Sequence, residues 1–299
     1  MQHLLAQRLF MVRPAAFGYN DATAETNSFQ QRTASLNFTK ALGEFDAAVA
    51  TIEAAGIDVL LAHDQPVPAK PDAIFPNNWF STHPEGMLVL YPMYAENRQI
   101  EADEAHLSLL KQQGYSQITD YRNKRNAGIF LEGTGSLVFD HLHRIAIAVP
   151  SARTTKSLAQ QLTKQLGYAL FMAESLDEQG LAIYHTNVVM SIAPSLAICC
   201  FKSIKDPDQS HMLATLLQRS GRTVLPINMA QMSSFCANVL MVNNQKAEPC
   251  LLVSQTAWKA FEPFQRAQIA SIAEPVIVDI ATIERSGGGG IRCMVAELW

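Results

Sequence analysis

A repeated unit of about 55 residues constrains the fold of this chain more than any other feature of its sequence. Four segments carry apolar residues at helical intervals, and each ends in a glycine, with 58, 53 and 54 residues between Gly56, Gly114, Gly167 and Gly221. Most of these glycines precede a short β-like run, and most of the helices follow two apolar runs separated by a turn. The unit is therefore strand, strand, helix, strand, and five copies fill the chain.

The two terminal segments indicate that this array closes on itself. The last unit supplies one hairpin strand, "IRCMVAEL" at residues 291–298, and "RLFMVRP" at residues 8–14 can supply its partner. We therefore expect an α/β fold with five blades, each a ββαβ unit. No stretch rich in Gly, Pro or Ser divides the pattern, so residues 1–299 are predicted to form one domain. Residues 15–35 are polar, lack periodicity and are too long for an ordinary connection, which predicts a lid or substrate-binding loop, called the lid segment below.

The composition excludes several classes of partner. With 48% hydrophobic and 17% charged residues, the chain has the composition of an ordinary globular protein. Its formal charge is −4, and no run of basic residues suits nucleic acid or a membrane surface, so we expect a small-molecule partner. The apolar stretches are broken by proline and the N-terminus lacks a signal-peptide pattern, which predicts a cytoplasmic protein without membrane spans. The sequence leaves open whether the protein forms a homo-oligomer.

Polar residues recur where the hairpin of each unit begins. Their spacings are 54, 53, 53 and 55 residues, and the set is Asn78, Glu132, His185, Asn238 and Cys293. In a ring of equivalent units these positions converge on the central axis, where a purely structural ring would place apolar residues. A thiol, an imidazole, a carboxylate and two amides are therefore predicted to meet in one place.

Each of these residues has an ordinary structural interpretation when it is taken alone. The five cysteines show neither a CxxC pair nor metal-ligand spacing, so buried thiols are expected at Cys199, Cys200, Cys236, Cys250 and Cys293. A single histidine is more often a satisfied structural residue than a catalyst, and Glu132 or Asn78 can serve a turn. The four consecutive glycines before Cys293 add no packing, so they predict that something approaches this backbone closely. Together these features favour a catalytic pocket.

At this point the chain resembles a known family. The strings "FPNNWFSTH", "LEGTGSLVF", "YHTNVVMSI" and "GGGGIRCMV" are similar to those of the pentein, or guanidino-group-modifying, superfamily, which includes arginine deiminases, dimethylarginine dimethylaminohydrolases, amidinotransferases and succinylarginine dihydrolase. The branch that it resembles most is that of the arginine-deiminase-related citrulline-utilisation hydrolases. The resemblance implies a five-bladed pseudo-symmetric α/β propeller and a hydrolase that acts on C–N bonds other than peptide bonds.

The resemblance also implies roles for particular residues. Cys293 matches the family's nucleophile, His185 its general acid/base, and Glu132 the acidic residue that binds the substrate nitrogens. On this reading the glycines before Cys293 let the backbone approach the substrate head group with its N–H groups pointing inward. Arg98 and Arg153 resemble the arginines that hold the substrate α-carboxylate, although each can also be read as a solvated charge at a helix start. The family uses no metal and no organic cofactor, and none is expected here. The "HLH" string at residues 141–143 is too sparse for zinc.

Two departures from the family pattern bear on the substrate. Deiminases carry aspartate where this chain has Asn78 and Asn187, and carboxylates suit a guanidinium because they only accept hydrogen bonds. An amide both donates and accepts, which favours a neutral ureido group. Together with Asn238, these amides are expected to bind substrate. The sequence thus predicts a citrulline hydrolase that forms ornithine, carbon dioxide and ammonia through a covalent thiol adduct.

Three alternatives stay open. The same cysteine can serve an arginine or methylarginine deiminase or dihydrolase, because Glu132 is retained. The fold also occurs in a non-catalytic binding protein, against which the retained cysteine, histidine and glutamate argue. A deiminase acting on peptides would need an open site, whereas the long lid segment favours a free amino acid as substrate.

Overall fold

The computed structural model of the protein describes residues 4–32 and 38–299, and within them the strands form five sheets of three strands each. The strands are β1 (Arg8–Arg13), β2 (Asp58–His63), β3 (Phe80–His83), β4 (Met87–Leu90), β5 (Gln117–Asp120), β6 (Leu137–Asp140), β7 (Ile145–Ala148), β8 (Ala169–Met172), β9 (Met190–Ile192), β10 (Leu196–Cys199), β11 (Thr223–Pro226), β12 (Leu240–Asn243), β13 (Pro249–Ser254), β14 (Glu274–Val278) and β15 (Ala296–Leu298).

Helices lie between these strands. They are α1 (Asp21–Ala24), α2 (Phe38–Ala54), α3 (Glu104–Gln112), α4 (Gly133–Ser136), α5 (Lys156–Gln165), α6 (Thr186–Val189), α7 (Pro207–Arg219), α8 (Met229–Ser233), α9 (Gln255–Ala260), α10 (Pro263–Ala270), α11 (Ala281–Gly287) and α12 (Ile291–Met294). Short 3-10 helices cover Pro76–Asn78, Pro84–Gly86, Glu96–Arg98, Arg122–Ala127 and Phe201–Ser203.

All five sheets share one plan. An antiparallel pair comes first, as in β3 with β4, and a third strand, such as β5, pairs parallel to the second. A parallel pairing needs a crossover connection, and a helix supplies it in each unit, as α3 does between β4 and β5. The predicted order of strand, strand, helix, strand is therefore confirmed.

The first and last strands close the ring. β1 pairs antiparallel with β15, with Phe10 opposite Ala296, and parallel with β2. This is the pairing predicted between the two terminal segments. The strand in the last segment is shorter than expected, because residues Ile291–Met294 form the helical turn α12.

Local sequence signals begin and end the crossover helices. Asp103 caps α3 by accepting the backbone N–H of His106, and the four glycines predicted to end helices all have positive φ, between 73° and 96°. The apolar face of each helix packs on its sheet. Phe45 and Ile52 of α2, for example, are fully buried, and each such side chain contributes about 1.5–3 kcal/mol of transfer free energy.

The five polar residues at the repeated position, which are expected at the central axis, do not begin strands as predicted. A helical turn, such as α4 after Glu132 or α6 after His185, separates most of them from the strand that follows. An apolar run of a few residues has no periodicity that distinguishes a helical turn from a strand, which explains the error.

Most of the predicted lid segment lies within the described residues. It contains α1, whose N-cap is Asn20, while its residues 33–35 lie outside the described residues. Within the described ranges every helix is too short or too polar to cross a membrane.

Candidate active site

The ring brings the predicted axial residues together around one cavity. Cys293, His185 and Asn78 line it, together with Arg98 and Arg153. Glu132 and Asn238 lie directly behind, where they contact His185 and Cys293 respectively. All of these side chains are buried.

Amide groups surround the thiol of Cys293. The Nδ2 group of Asn238 donates to Sγ of Cys293 at 3.3 Å, and Nδ2 of Asn187 lies 3.7 Å from the same sulfur atom. Burial raises the pKa of the Cys293 thiol, and the hydrogen bonds from Asn238 and Asn187 only partly oppose this effect. The resting thiol is therefore protonated at neutral pH. The other four cysteines are buried and free, as predicted.

A hydrogen bond joins the imidazole of His185 to the carboxylate of Glu132. Nε2 of His185 lies 2.8 Å from Oε2 of Glu132. Burial lowers the pKa of His185 to about 4, although Glu132 favours the charged ring. Burial alone would favour the protonated form of Glu132, but Arg153, His185 and Arg98 outweigh it and lower the pKa of this carboxyl to about 2.

These protonation states fix the tautomer of His185. An ionised carboxylate only accepts hydrogen bonds, so Nε2 must carry the hydrogen and Nδ1 is the basic nitrogen of the neutral ring. A methyl group built on Gly135 would lie 2.7 Å from Nδ1 of His185 and 2.6 Å from Nδ2 of Asn78. The absence of a side chain at Gly135 therefore leaves room for both groups. The thiol, the base and its carboxylate partner form an arrangement suited to nucleophilic catalysis.

Arg153 connects the carboxylate to the lid segment. Its Nη1 lies 3.5 Å from Oε2 of Glu132, while Nη2 donates to the backbone carbonyl of Thr23 at 2.8 Å and to Oγ1 of Thr26 at 2.7 Å. Only 2% of Arg153 is exposed, so the alternative reading as a solvated charge at a helix start is wrong.

Arg98 is equally buried and orients Asn78. Its Nη1 donates to Oδ1 of Asn78 at 2.9 Å, and its Nε and Nη2 bind Glu101 at 2.8 and 2.9 Å. This contact fixes the amide of Asn78 with its oxygen toward the guanidinium. Nδ2 of Asn78 has no hydrogen-bond partner among the residues of the described ranges. The reading of Arg98 as a solvated charge is therefore wrong as well.

The glycine run packs closely against the surrounding side chains. A methyl group would lie 2.6 Å from the ring of Phe75 at Gly287, 2.7 Å from the amide of Asn27 at Gly288, and 2.9 Å from Oδ1 of Asn238 at Gly290. At Gly289 it would lie 3.2 Å from Sγ of Cys293. Close approach was predicted, and the structure shows it.

The backbone groups of Gly287 and Gly288 differ from expectation. We expected the N–H groups of the glycine run to point inward. Instead the N–H of Gly288 caps helix α11 on the carbonyl of Glu284, and the carbonyls of Gly287 and Gly288 accept hydrogen bonds from Asn27 of the lid segment. The carbonyl of Gly288 also accepts the hydroxyl of Tyr184 at 2.5 Å.

Asp72 and Tyr184 also line the cavity, and the sequence analysis missed them. Asp72 accepts the side-chain amide of Asn20 at 2.8 Å through Oδ2, while its Oδ1 lacks a partner among the described residues. Tyr184 lines the cavity beside His185. Neither residue falls at the repeated position. Asp72 precedes the "FPNN" string and Tyr184 is next to His185, so the only sequence signal that could have identified them was their proximity to these motifs.

The cavity is nearly filled by protein. Its volume is about 10 Å³, close to the room that one water molecule occupies. Asn27 of the lid segment forms part of its wall, so a molecule larger than water can enter only if this wall or another moves. In the part of the chain that the structure describes, no group of three or more His, Cys, Asp or Glu residues is placed to hold a metal ion.

Comparison with known proteins identifies the family of this chain. The family model described as N,N dimethylarginine dimethylhydrolase, eukaryotic, matches residues 13–299. No curated protein matches the chain.

Solved structures share the fold at low sequence identity. The N-terminal domain of ArgZ bound to substrate, an arginine dihydrolase from the ornithine-ammonia cycle in cyanobacteria, is 15% identical with a TM-score of 0.76, and the match covers 97% of each chain. Against the longer ArgZ chain the match covers 97% of this chain but 40% of that one, with 15% identity and a TM-score of 0.77. DDAH from Pseudomonas aeruginosa complexed with citrulline is 15% identical with a TM-score of 0.69, and the match covers 98% of this chain and all of that one. The predicted five-bladed pentein fold is therefore confirmed.

Proposed function

We propose, from the premise that the chain belongs to the family described as N,N dimethylarginine dimethylhydrolase, that this hydrolase acts on the ureido group of citrulline. The broader class, a pentein-type hydrolase of the guanidino group, follows from the family and its structural relatives. Citrulline and the roles of individual residues are our proposal. A cytoplasmic location is also part of our proposal.

The orientation of Asn78 carries the choice of citrulline. Because Arg98 holds the Oδ1 atom, the group left for a ligand is the NH₂ of the amide, a donor. The oxygen of a ureido group accepts such a hydrogen bond, whereas every polar atom of a guanidinium is a donor. A buried donor left without a partner costs about 1–3 kcal/mol, and the ureido oxygen removes that cost.

The chemistry begins at the thiol. Cys293 transfers its proton to Nδ1 of His185 as the sulfur attacks the ureido carbon, and Asn238 and Asn187 stabilise the thiolate through their N–H groups. The NH₂ of Asn78 stabilises the charge that develops on the ureido oxygen. This substitutes for the inward N–H groups expected from the glycine run.

His185 then acts as an acid and afterwards as a base. Its acquired proton passes to the leaving nitrogen, the bond between that nitrogen and the ureido carbon breaks, and a carbamoyl group remains on the sulfur of Cys293. His185 next deprotonates a water molecule that attacks this carbon and breaks its bond to sulfur. The carbamate so released decomposes to carbon dioxide and the second amine. In sum, citrulline and one water give ornithine, carbon dioxide and ammonia. Glu132 stabilises the charged imidazole in both steps.

The amino-acid end of the substrate has partners of its own. The unpartnered Oδ1 of Asp72 suits an ammonium group, and the guanidinium of Arg153 suits a carboxylate. A carboxylate on Arg153 would compete with Thr26 of the lid segment for the same N–H groups. Substrate binding is thereby linked to the position of the lid segment.

Arginine is the second candidate substrate. Glu132 and Asp72 place two carboxylates at the site, and a carboxylate pairs well with a cationic head group. ArgZ, one of the structural relatives, is an arginine dihydrolase. An enzyme of that kind would release ornithine from arginine by way of the same chemistry.

Separate incubations with citrulline, arginine and dimethylarginine test the proposal. We expect ornithine and ammonia from citrulline, and none from the Cys293→Ala variant. Release of citrulline from arginine or dimethylarginine, with citrulline itself left intact, would overturn it. A protein inert toward all three compounds, whose Cys293 is alkylated no faster than its other cysteines, would favour the binding-protein alternative.

A further inference from the structure

A second cavity lies between the lid segment and helix α11. Its volume is about 350 Å³, a size typical of sites for small organic molecules, and its lining includes Phe29 and Gln31 of the lid segment and Glu284 of α11. It shares no lining residue with the cavity that contains Cys293. The proposed reaction leaves this cavity unexplained.

Glu284 is a buried carboxylate whose Oε1 atom lacks a partner in the described part of the chain, while the hydroxyls of Ser254 and Thr256 hydrogen-bond to the carboxylate. Only 4% of the residue is exposed, and its Oε1 has no hydrogen-bond partner among residues 4–32 and 38–299. It takes part in none of the ion pairs formed within those ranges. Burial raises its pKa to about 7, nearby hydroxyls of Ser254 and Thr256 oppose this shift, and the charges of Glu44 and Asp279 reinforce it. A buried acid of this kind is stabilised by a cationic ligand.

The rest of the lining has matching chemistry. Asp177 and Glu178 add two more carboxylates, against one guanidinium from Arg285. The rings of Phe29 and Phe235, whose centroids are 5.6 Å apart, provide an apolar and aromatic wall. Carboxylates beside aromatic faces favour a cation carried on a short apolar body.

We propose that this cavity binds a small organic cation, an ammonium or guanidinium group on a short alkyl chain, with its charge on the carboxylate of Glu284. The bound molecule contacts both the lid segment and α11. These two elements are already joined, because the N–H of Gln31 donates to the carbonyl of Arg285 at 2.8 Å. Helix α11 ends at Gly287, whose carbonyl accepts from Asn27 at the active-site cavity. The cation therefore holds the lid segment closed.

Calorimetric titration of the intact protein with n-butylammonium tests the site, with 1-butanol as the neutral match. We expect saturable binding of the amine alone, weakened on the order of tenfold to a hundredfold by Glu284→Gln. Glu132→Gln is the matched control, since it removes a buried carboxylate from the other cavity and should leave this binding unchanged. Equal affinity in the Glu284→Gln variant, loss of binding in Glu132→Gln, or no binding to the wild type would overturn the proposal. Because no turnover is measured, failure here is distinct from failure of the proposed reaction.

A second variant keeps the test decisive if Glu284→Gln does not fold. Ser233 lines the same cavity at an exposed position, so Ser233→Trp fills the space without disturbing the core, and it should weaken binding similarly. Hydrogen exchange at the amide of Gln31 checks the link to the lid segment. Slower exchange with n-butylammonium supports it, and an unchanged rate at saturation would overturn the closing role.

Discussion

The two sides of the candidate site satisfy their hydrogen bonds differently. On the charged side, Oε1 of Glu132 accepts the N–H of Tyr94, and its Oε2 is bound by His185 with Arg153 nearby. On the amide side, Nδ2 of Asn78 and Oδ1 of Asn238 have no partner in the described part of the chain. Since an unpaired buried polar atom is costly, we infer that the charged side is complete before substrate arrives, and that substrate completes the amide side. The first then performs proton transfer, and the second selects the head group.

The largest effect is expected from Cys293→Ala, which removes the atom that the amides surround. The rate should fall by several orders of magnitude, because the thiol forms the covalent adduct. Steady-state ornithine release measures it. Cys250→Ala, in strand β13 and outside the cavity, is the matched control and should keep its activity. Comparable losses in both variants would contradict the assignment of the nucleophile.

Next in size is Glu132→Gln, which breaks the charged side. The rate should fall on the order of a hundredfold to ten-thousandfold, because the imidazolium loses its stabilising charge. Asp140→Asn is the control, since Asp140 is also buried and ion-paired, with Arg222, but lies outside this cavity. An equal fall in both variants would indicate a general structural effect.

The same variant has a signature in the pH dependence of kcat/KM. The active free enzyme has a neutral His185, with a pKa of about 4, and a protonated Cys293 thiol, with a raised pKa. The wild-type profile should therefore be flat from about pH 5 to 8 and fall on both sides. Glu132 raises the pKa of His185, so Glu132→Gln should move the acid limb to lower pH. A limb that moves to higher pH would be inconsistent with the pairing.

A smaller loss, on the order of a hundredfold, is expected from Gly135→Ala, which acts on both sides at once. The added methyl group would displace Nδ1 of His185 and Nδ2 of Asn78, from which it lies 2.7 and 2.6 Å. Thermal unfolding should show that the fold persists. Gly43→Ala is the control, because a methyl group there has no neighbour within 4 Å and the residue lies inside helix α2. Full activity in Gly135→Ala would contradict the proposed role of Nδ1.

The smallest effect is expected from Asn78→Asp, which alters the amide side alone. The carboxylate cannot donate to a ureido oxygen, so kcat/KM for citrulline should fall roughly tenfold to a hundredfold relative to that for arginine. The ratio of kcat/KM for citrulline to kcat/KM for arginine measures this change in selectivity. Asn77→Asp, next to it and equally buried but outside the cavity lining, should leave the ratio unchanged. An unchanged ratio in Asn78→Asp would show that this amide does not select the head group.

The sequence analysis predicted those features of the fold and site that depend on the repeated unit. The blades, the closing strands and the convergence of Glu132, His185 and Cys293 all followed from residue types at a constant interval. Asp72 could not be found in this way, because it reaches the cavity from an irregular segment and does not occupy the repeated position. The partners of Arg153 were equally hidden, since they lie on the lid segment, whose path depends on tertiary contacts. That residues 1–299 form one domain stays a prediction.

The closing sheet also bears on how the molecule folds. Strands β1 and β15 pair although nearly the whole chain separates them in sequence. Cys293 lies just before β15. Pairings between such distant segments form late, because closing a long loop costs entropy. Before that pairing forms, the blades that carry His185 and Glu132 can already bring these two residues together, whereas Cys293 is not yet held beside them. The candidate active site is therefore complete only when the ring closes.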